Sequence, residues 1–259
     1  MQLIDIGANL SNKQFNDDLN QVIDNAFVNQ ISRIYSTTTD KNTFFSNISI
    51  CEKYPNIFTT WGLHPHNANV LDDFILQTEK HTNHPKVKAI GEFGLDFFRM
   101  ISDQKSQENA MNYFLSKSNN LNLPLFMHER EAHDTFVSIL KNNPTNNYGV
   151  VHCFTGTKKQ LLSYLDLNLY IGITGWICDD RRNHELLEAI KFLPLDKIMI
   201  ETDSPYLKPR NLKQRSPRNE PKNLIYILNY ISELKNIPVE ELSVILYNNT
   251  LRFFNNGKN

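Results

Sequence analysis

Short runs of β-forming residues alternate with longer segments of helical periodicity along this chain, and this alternation is the strongest constraint on its fold. Strands separated in this way are typical of a parallel sheet built from βαβ units. The predicted strands are Gln2–Ile6, Arg33–Ser36, Ile57–Gly62, Val87–Gly91, Pro124–Met127, Gly149–Val151, Leu169–Ile173 and Lys197–Ile200.

The number of strand–helix units indicates a closed barrel. Eight units in 259 residues match the (β/α)₈ or TIM barrel, an α/β fold that commonly forms one undivided domain. The expected helices include Gln104–Asn120, Arg130–Lys141, Lys158–Asp166, Arg182–Phe192, Lys222–Lys235 and Val239–Phe254. With 40% hydrophobic residues and no linker or low-complexity tail, we expect a single domain over residues 1–259.

Polar side chains occur where the predicted strands end. In a TIM barrel the carboxyl ends of all strands meet at one mouth, which is where the active site lies. The residues at or beside these ends are Asp5, Asn9, Ser36, His64, Glu92, His128, His152, Thr174 and Asp203. We therefore expect them to converge.

Four of these residues each end an apolar run and suggest a metal site: Glu92, His128, His152 and Asp203. A single histidine such as His152 is more often a hydrogen-bonded core residue than a ligand, but four such placements in one barrel favour a shared site. Two imidazoles and two carboxylates suit Zn²⁺, Mn²⁺ or Mg²⁺ and lack the thiolates of a structural zinc site. The set predicts a catalytic divalent-metal centre.

Histidines also occur in two further motifs. In "GLHPH", His64 and His66 flank Pro65 after the third strand, where they could carry protons or bind phosphate, or merely cap an extended turn. The segment "HEREAH" is not an H-E-x-x-H zinc motif, because His133 follows His128 by five residues rather than four.

A basic segment follows the last strand. Its candidates for phosphate contact are Lys208, Arg210, Arg215 and Arg218, since barrels often bind phosphate after strands seven and eight. A solvated charged face is the alternative. The loop "CDDRR", Cys178 to Arg182, offers a second basic site that Asp179 and Asp180 partly neutralise. The net charge of −1 excludes a broadly basic surface, so any phosphate contact must be local.

The chain begins without a basic, apolar leader, and its apolar runs are too short to span a membrane. Cys51, Cys153 and Cys178 are far apart and form no disulfide framework or zinc ribbon. We expect a monomeric, cytoplasmic protein that makes no membrane contact.

Several motifs together closely resemble the TatD family of metal-dependent deoxyribonucleases, within the amidohydrolase-like barrels. They are "DIGANL", "GLHPH", "AIGEFGLDF", "FMHEREAHD", "HCFTG", "YIGITGW", "IETDSPYL" and "RNEP", and they run nearly from end to end. The resemblance implies divalent-metal hydrolysis of DNA phosphodiester bonds, with 3'-5' exonuclease character on single-stranded DNA or 3' ends. It also implies that Glu92 bridges or ligates metal, that His128 and His152 ligate it, and that Asp203 ligates metal or orients the attacking water.

One motif departs from the family pattern. Most relatives carry His-x-His in the first strand, whereas this chain has Gly7 and Asn9 there, a pattern that resembles the TatD proper subgroup. Asp5 is then a residual ligand or an anchor behind the site, and Asn9 an oxygen ligand or a substrate hydrogen-bonding group. With fewer nitrogen ligands we expect Mg²⁺, with Mn²⁺ and Zn²⁺ as alternatives.

Two other functions stay open at this stage. One is a metallohydrolase of the same barrel class that acts on a small amide or ester, which the basic segment disfavours. The other is a non-catalytic binding barrel, which the presence of Glu92, His128, His152 and Asp203 together disfavours.

Overall fold

A parallel eight-stranded sheet forms the centre of the computed structural model, which describes residues 1–212 and 217–256. Its strands are β1 Leu3–Ala8, β2 Ile31–Ser36, β3 Ile57–Trp61, β4 Val87–Asp96, β5 Leu125–Arg130, β6 Gly149–Val151, β7 Tyr170–Ile173 and β8 Ile198–Ile200. Each strand pairs in parallel with the next along the chain, from β1 to β8. The predicted TIM barrel is confirmed.

Helices connect the consecutive strands and cover the barrel. Within residues 1–212 and 217–256 they are α1 Leu19–Val28, α2 Lys41–Lys53, α3 Leu71–Thr78, α4 Gln104–Leu121, α5 His133–Asn142, α6 Lys158–Asp166, α7 His184–Ile190, α8 Leu224–Lys235 and α9 Val239–Phe254. The first seven each join one strand to the next, and α8 and α9 follow β8. In this part of the chain no helix is long and apolar enough to cross a membrane.

The amino-terminal end of the barrel is filled by apolar side chains. One buried cluster draws residues from seven of the strands and from the end of α9: Ile4, Ile6, Tyr35, Ala89, Phe126, Val150, Tyr170, Met199, Phe253 and Phe254. Residues from so many strands can meet only inside the ring. The ring of Phe254 stacks on Tyr35 with 3.4 Å between centroids. The floor of the barrel is therefore solid, and access to its interior is from the opposite mouth.

Strand β4 is longer than the sequence predicted. We expected it to end at Gly91, but it pairs with β5 as far as Asp96 opposite Arg130. Gly91 and Gly94 have φ values of +154° and +146°, and a Cβ at Gly94 would lie 1.9 Å from the carbonyl oxygen of His128. These glycines therefore permit close approach of two strands rather than ending one. For the same reason β5 includes Arg130, which we had predicted to begin a helix.

Contacts around Asp5 close the barrel between β8 and β1. The amide of Asp203 donates to the carbonyl of Gly7 at 2.7 Å, and the amide of Asn9 donates to Ser204 at 2.7 Å. The buried carboxyl group of Asp5 accepts from the Thr202 amide at 2.9 Å and from the Thr202 hydroxyl. These bonds favour the anchoring role for Asp5 over the ligand role, since its oxygens are used to hold the segment after β8.

Removing the Asp5 carboxyl group will destabilise the barrel more than replacing it with an amide. Asp5→Ala leaves two buried donors of Thr202 without an acceptor and should lower the free energy of unfolding by about 3 kcal/mol. Asp5→Asn keeps one acceptor oxygen and should cost about 1 kcal/mol. Urea denaturation of the two variants measures the difference. Equal losses would show that the bonds to Thr202 do not hold this junction.

Candidate metal centre

Three imidazoles surround one carboxylate oxygen in the mouth of the barrel. Glu92 Oε1 lies 2.8 Å from His152 Nε2, 3.0 Å from His128 Nδ1 and 3.3 Å from His64 Nε2. His128 Nδ1 and His152 Nε2 are themselves 3.3 Å apart. Glu92 and His152 are each only 5% exposed. We call these four residues the Glu92 cluster.

Four consecutive strands deliver the Glu92 cluster. His64 follows β3 and precedes a 3₁₀ helix over Pro65–Val70, Glu92 lies within β4, His128 lies within β5, and His152 follows β6 directly. Because neighbouring strands of a barrel lie side by side, their carboxyl ends bring these side chains together. The structure thus brings together the predicted residues Glu92, His128 and His152, with His64 beside them.

Mutual attraction sets the protonation of the cluster. Burial opposes ionisation of Glu92, but attraction to His152 and hydrogen bonds from His128 and His152 outweigh it and hold the pKa of Glu92 well below its ordinary range. Burial also opposes a charge on His152, yet Glu92 and Glu201 raise the pKa of His152 well above its usual value. Burial lowers the pKa of His64 to about 3. At pH 7 Glu92 is therefore a carboxylate and His64 is neutral.

The tautomer of neutral His64 follows from its contacts. The His66 amide donates to His64 Nδ1 at 3.1 Å, so Nδ1 carries a lone pair and the proton resides on Nε2. His64 Nε2 lies 3.3 Å from Glu92 Oε1. His64 is therefore built as a hydrogen-bond donor into the mouth.

Glu201 orients His152 from below. Its Oε1 accepts from the amide of Cys153 at 2.6 Å, and its Oε2 lies 3.4 Å from His152 Nδ1. Two glycines make room for this carboxylate: a Cβ at Gly7 would lie 2.3 Å from Glu201 Oε2, and one at Gly172 would lie 2.5 Å from Oε1. Gly7 in strand β1 is therefore required for space.

Asp96 was not among the predicted site residues. Its Oδ2 lies 2.7 Å from His66 Nε2 and 3.7 Å from His128 Nε2, and its Oδ1 accepts from the amides of Phe98 and Arg99. Burial opposes a charge on His128, but Asp96 and Glu92 raise the pKa of His128 above its usual value. The sequence does contain a signal for Asp96. If the strand continues through Gly94, Glu92 and Asp96 are four residues apart and lie on the same face of it.

Asp203 and Asn9 form a pair at the neighbouring side of the mouth. Asn9 Nδ2 donates to Asp203 Oδ1 at 2.9 Å, and Asn9 Oδ1 accepts from the Thr37 hydroxyl at 2.9 Å. Burial, together with Glu92 and Glu201, raises the pKa of Asp203 to about 7. Asn9 thus holds one oxygen of Asp203, which favours a positioning role over direct ligation by Asn9.

The basic candidates after β8 separate in the structure. The Arg218 side chain turns away to Asp18 and the backbone of Gln14, and its guanidinium lies 4.6 Å from the ring centroid of Phe15. Those contacts favour a role in fixing the loop. Lys208 and Arg210 are exposed on the loop. Arg215 lies outside the described residues.

The Glu92 cluster fits a divalent cation. One ligand atom each from His64, Glu92 and His128 lie within 4.8 Å of one another, and no other such group of histidine, cysteine or acidic residues is found among the described residues. His152 Nε2 also lies 2.8 Å from Glu92 Oε1 and 3.3 Å from His128 Nδ1, so it can take the place of His64, whose Nε2 carries a proton. In the same part of the chain, buried His128 Nε2 has no hydrogen-bond partner. Imidazole nitrogens and a carboxylate oxygen are ligands that suit Zn²⁺, Mn²⁺ and related ions.

The chain is similar to a known protein family along almost its whole length. The family model described as TatD-related DNase matches residues 4–255. The chain belongs to this family. A protein named 3'-5' ssDNA/RNA exonuclease TatD from Erwinia tasmaniensis is 40% identical over 258 residues, which cover 98% of this chain and all of that relative. The family predicted from the sequence motifs is confirmed.

Solved TatD structures share the whole architecture. A TatD-family hydrolase from Entamoeba histolytica has a TM-score of 0.89 at 31% identity, over 98% of both chains. A TatD homologue from Escherichia coli K-12 has a TM-score of 0.88 at 27% identity, again over 98% of both chains. The barrel and its mouth are therefore those of the TatD family.

Loss of the Glu201 charge will weaken the centre without direct contact to a bound ion. Groups that orient a ligating imidazole typically contribute a factor of about 10–100 in metal affinity. Glu201→Gln should therefore reduce Mn²⁺ affinity in calorimetric titration by about that factor. Glu188→Gln, an exposed change on α7, is the matched control and should bind as the wild type does. Equal affinities in both variants would show that Glu201 does not orient His152.

Proposed function

We propose that this TatD-family protein is a metal-dependent nuclease that removes nucleotides from the 3' end of single-stranded DNA. The observation that carries the proposal is the Glu92 cluster, in which three imidazoles face one buried carboxylate at an open barrel mouth. The name of the 40% identical relative, a 3'-5' ssDNA/RNA exonuclease, supports the substrate and the polarity.

Each side chain of the mouth has a proposed role. Glu92, His128 and His152 hold a divalent cation, which when bound supplies positive charge that stabilises the developing charge on the phosphate. Asp203, with one oxygen held by Asn9, either completes the ligand set or orients the attacking water through its other oxygen.

His64 and His66 differ in what they can do with a proton. The Nε2–H of His64 faces the interior of the cluster and is placed to donate to an oxygen of the scissile phosphate. His66 Nε2 is held by Asp96 at 2.7 Å. We therefore propose that His64 acts in proton transfer and that His66 helps to position Asp96 beside His128.

The identity of the metal is part of the proposal. The sequence favours Mg²⁺ because β1 carries no imidazole ligand. The two imidazoles of His128 and His152 beside Glu92 also suit Mn²⁺ and Zn²⁺, which bind nitrogen ligands more readily than Mg²⁺ does. Parallel assays with the three ions distinguish them.

Substrate contacts are assigned to the loop after β8. Lys208 and Arg210 are exposed there, and we propose that they contact backbone phosphates. A small amide or ester substrate has no phosphate for these cations to bind, which disfavours the small-molecule hydrolase. A non-catalytic barrel would have no use for the Glu92 cluster, which disfavours the binding protein. The cytoplasmic location and the monomeric state stay predictions from the sequence.

Removing a metal ligand will abolish cleavage. With a 5'-labelled single-stranded oligonucleotide, the wild type should yield progressively shorter labelled products in the presence of divalent metal and none in EDTA. Glu92→Gln and His128→Ala should each reduce the rate by at least about 100-fold, because each takes away a ligand. Gel electrophoresis of timed samples measures the rate.

The matched control is His84→Ala, a histidine change before β4 at the closed end of the barrel, which should cleave at the wild-type rate. Cleavage that persists in EDTA, or a His128→Ala rate close to that of the control, would contradict the assignment. Turnover of p-nitrophenyl esters without DNA cleavage would favour the small-molecule hydrolase instead.

A further inference from the structure

We propose that an arginine cluster beside the mouth binds backbone phosphates of the DNA strand that enters the metal centre. The cluster consists of Arg181 and Arg182 on the loop between β7 and α7 and Arg210 on the loop after β8, gathered around Asp179. This inference rests on the proposed function, and it names a second place at which the strand is held.

Asp179 organises three guanidinium groups. Its oxygens lie 2.8 Å from Arg181 Nε and 2.7 Å from Arg181 Nη2, 2.9 Å from Arg182 Nε, and 3.7 Å from Arg210 Nε. Asp179 is buried, whereas the arginine side chains are 62%, 45% and 51% exposed in the same order. A buried acceptor thus fixes three exposed cations in one place.

Arg210 makes the loop between β7 and α7 part of a more positive patch than its own sequence predicts. We expected Asp179 and Asp180 to neutralise Arg181 and Arg182, but Arg210 joins the same carboxylate from another loop. Three guanidinium groups then face two carboxylates, and the patch keeps a positive excess. The buried Asp179 carboxylate needs a compensating charge, but three guanidinium groups supply more positive charge than one carboxylate requires.

Arg182 is held from a second side. Its guanidinium lies 3.6 Å from the ring centroid of Trp176, and the indole Nε1 donates to the carbonyl oxygen of Arg182 at 3.3 Å. A cation stacked on an aromatic ring and fixed through Nε loses little side-chain freedom when it binds an anion. Trp176 and Asp179 are therefore positioning residues for Arg182.

The outer nitrogens of the cluster remain able to bind a ligand. Across residues 1–212 and 217–256, the structure gives no hydrogen-bond partner to Nη1 of Arg181 or to either terminal nitrogen of Arg182 and Arg210. The fork of a guanidinium matches two oxygens of a phosphodiester. The arginine cluster thus suits a chain of phosphates, and such contacts do not distinguish between bases.

The two arginine-bearing loops begin at the metal centre. Thr174, at the end of β7, places its hydroxyl 3.6 Å from the sulfur of Cys153, which follows His152. The next residue, Gly175, packs so closely that a Cβ there would lie 2.1 Å from the carbonyl oxygen of Leu207. The arginine cluster therefore lies on the same face of the barrel as the Glu92 cluster, where a strand held at one can reach the other.

Binding measured without metal tests the cluster apart from catalysis. The probe is a 5'-fluorescein oligothymidylate of about twelve nucleotides, titrated in EDTA and followed by fluorescence anisotropy at several KCl concentrations. The triple variant Arg181→Gln/Arg182→Gln/Arg210→Gln should bind roughly tenfold more weakly, and the slope of log Kd against log [KCl] should fall by about 2, because each phosphate contact to a single strand contributes about 0.7.

The matched control is Arg252→Gln, which removes one exposed arginine on α9, next to Tyr170 at the closed end of the barrel. It should keep the wild-type affinity and slope. If the triple variant and the control have the same Kd and the same salt slope, the proposal is wrong. The single variant Arg210→Gln, which loses only a 3.7 Å ion pair, repeats the test should the triple variant fold poorly, and its slope should fall by about 0.7.

Cleavage assays separate this inference from the proposed function. A wild type that binds the oligonucleotide through the arginine cluster but cleaves no DNA with any metal supports the cluster and contradicts the nuclease. Suppose that the wild type cleaves DNA and has a lower KM for the long oligonucleotide than for a dinucleotide. If the triple variant keeps this difference in KM, the result contradicts the arginine cluster and supports the nuclease. Loss of that difference in the triple variant supports both.

Discussion

Burial of the Glu92 carboxylate is the constraint on which the rest of the mouth depends. A buried carboxylate is costly unless charges and hydrogen bonds compensate it, and here three imidazole nitrogens within 3.3 Å do so. Those imidazoles come from the ends of β3, β5 and β6, so the compensation exists only when four neighbouring strands are in register. The Glu92 carboxylate, whose burial would destabilise the core if it were unpaired, is thus also the group around which the site forms.

Two other buried acidic side chains extend this arrangement to the far side of the barrel. Glu201 supports His152 from below and fits only because Gly7 and Gly172 have no side chains. Asp5 holds Thr202, and the adjacent amide of Asp203 bonds to β1. Strand β1 therefore contributes to the site through closure of the barrel and through Asn9, which holds Asp203.

The sequence predicted the barrel and the meeting of Glu92, His128 and His152, because each ends an apolar strand and parallel strands end at one mouth. The sequence-based prediction was wrong where the backbone conformation cannot be read from residue type alone. Gly91 and Gly94 suggested a strand end, which hid Asp96. The direction of a side chain also could not be predicted from the sequence. Arg218 and Arg210 belong to one basic run, but Arg218 contacts Asp18 whereas Arg210 contacts Asp179.

Anomalous diffraction from crystals grown with Mn²⁺ tests the central claim most directly, since it locates the ion without reference to activity or substrate. A metal centre at the Glu92 cluster predicts a manganese peak about 2.2 Å from a carboxylate oxygen of Glu92 and from ring nitrogens of His128 and His152. Manganese peaks found only at surface carboxylates, with none at the cluster in Mn²⁺-saturated crystals, would contradict it.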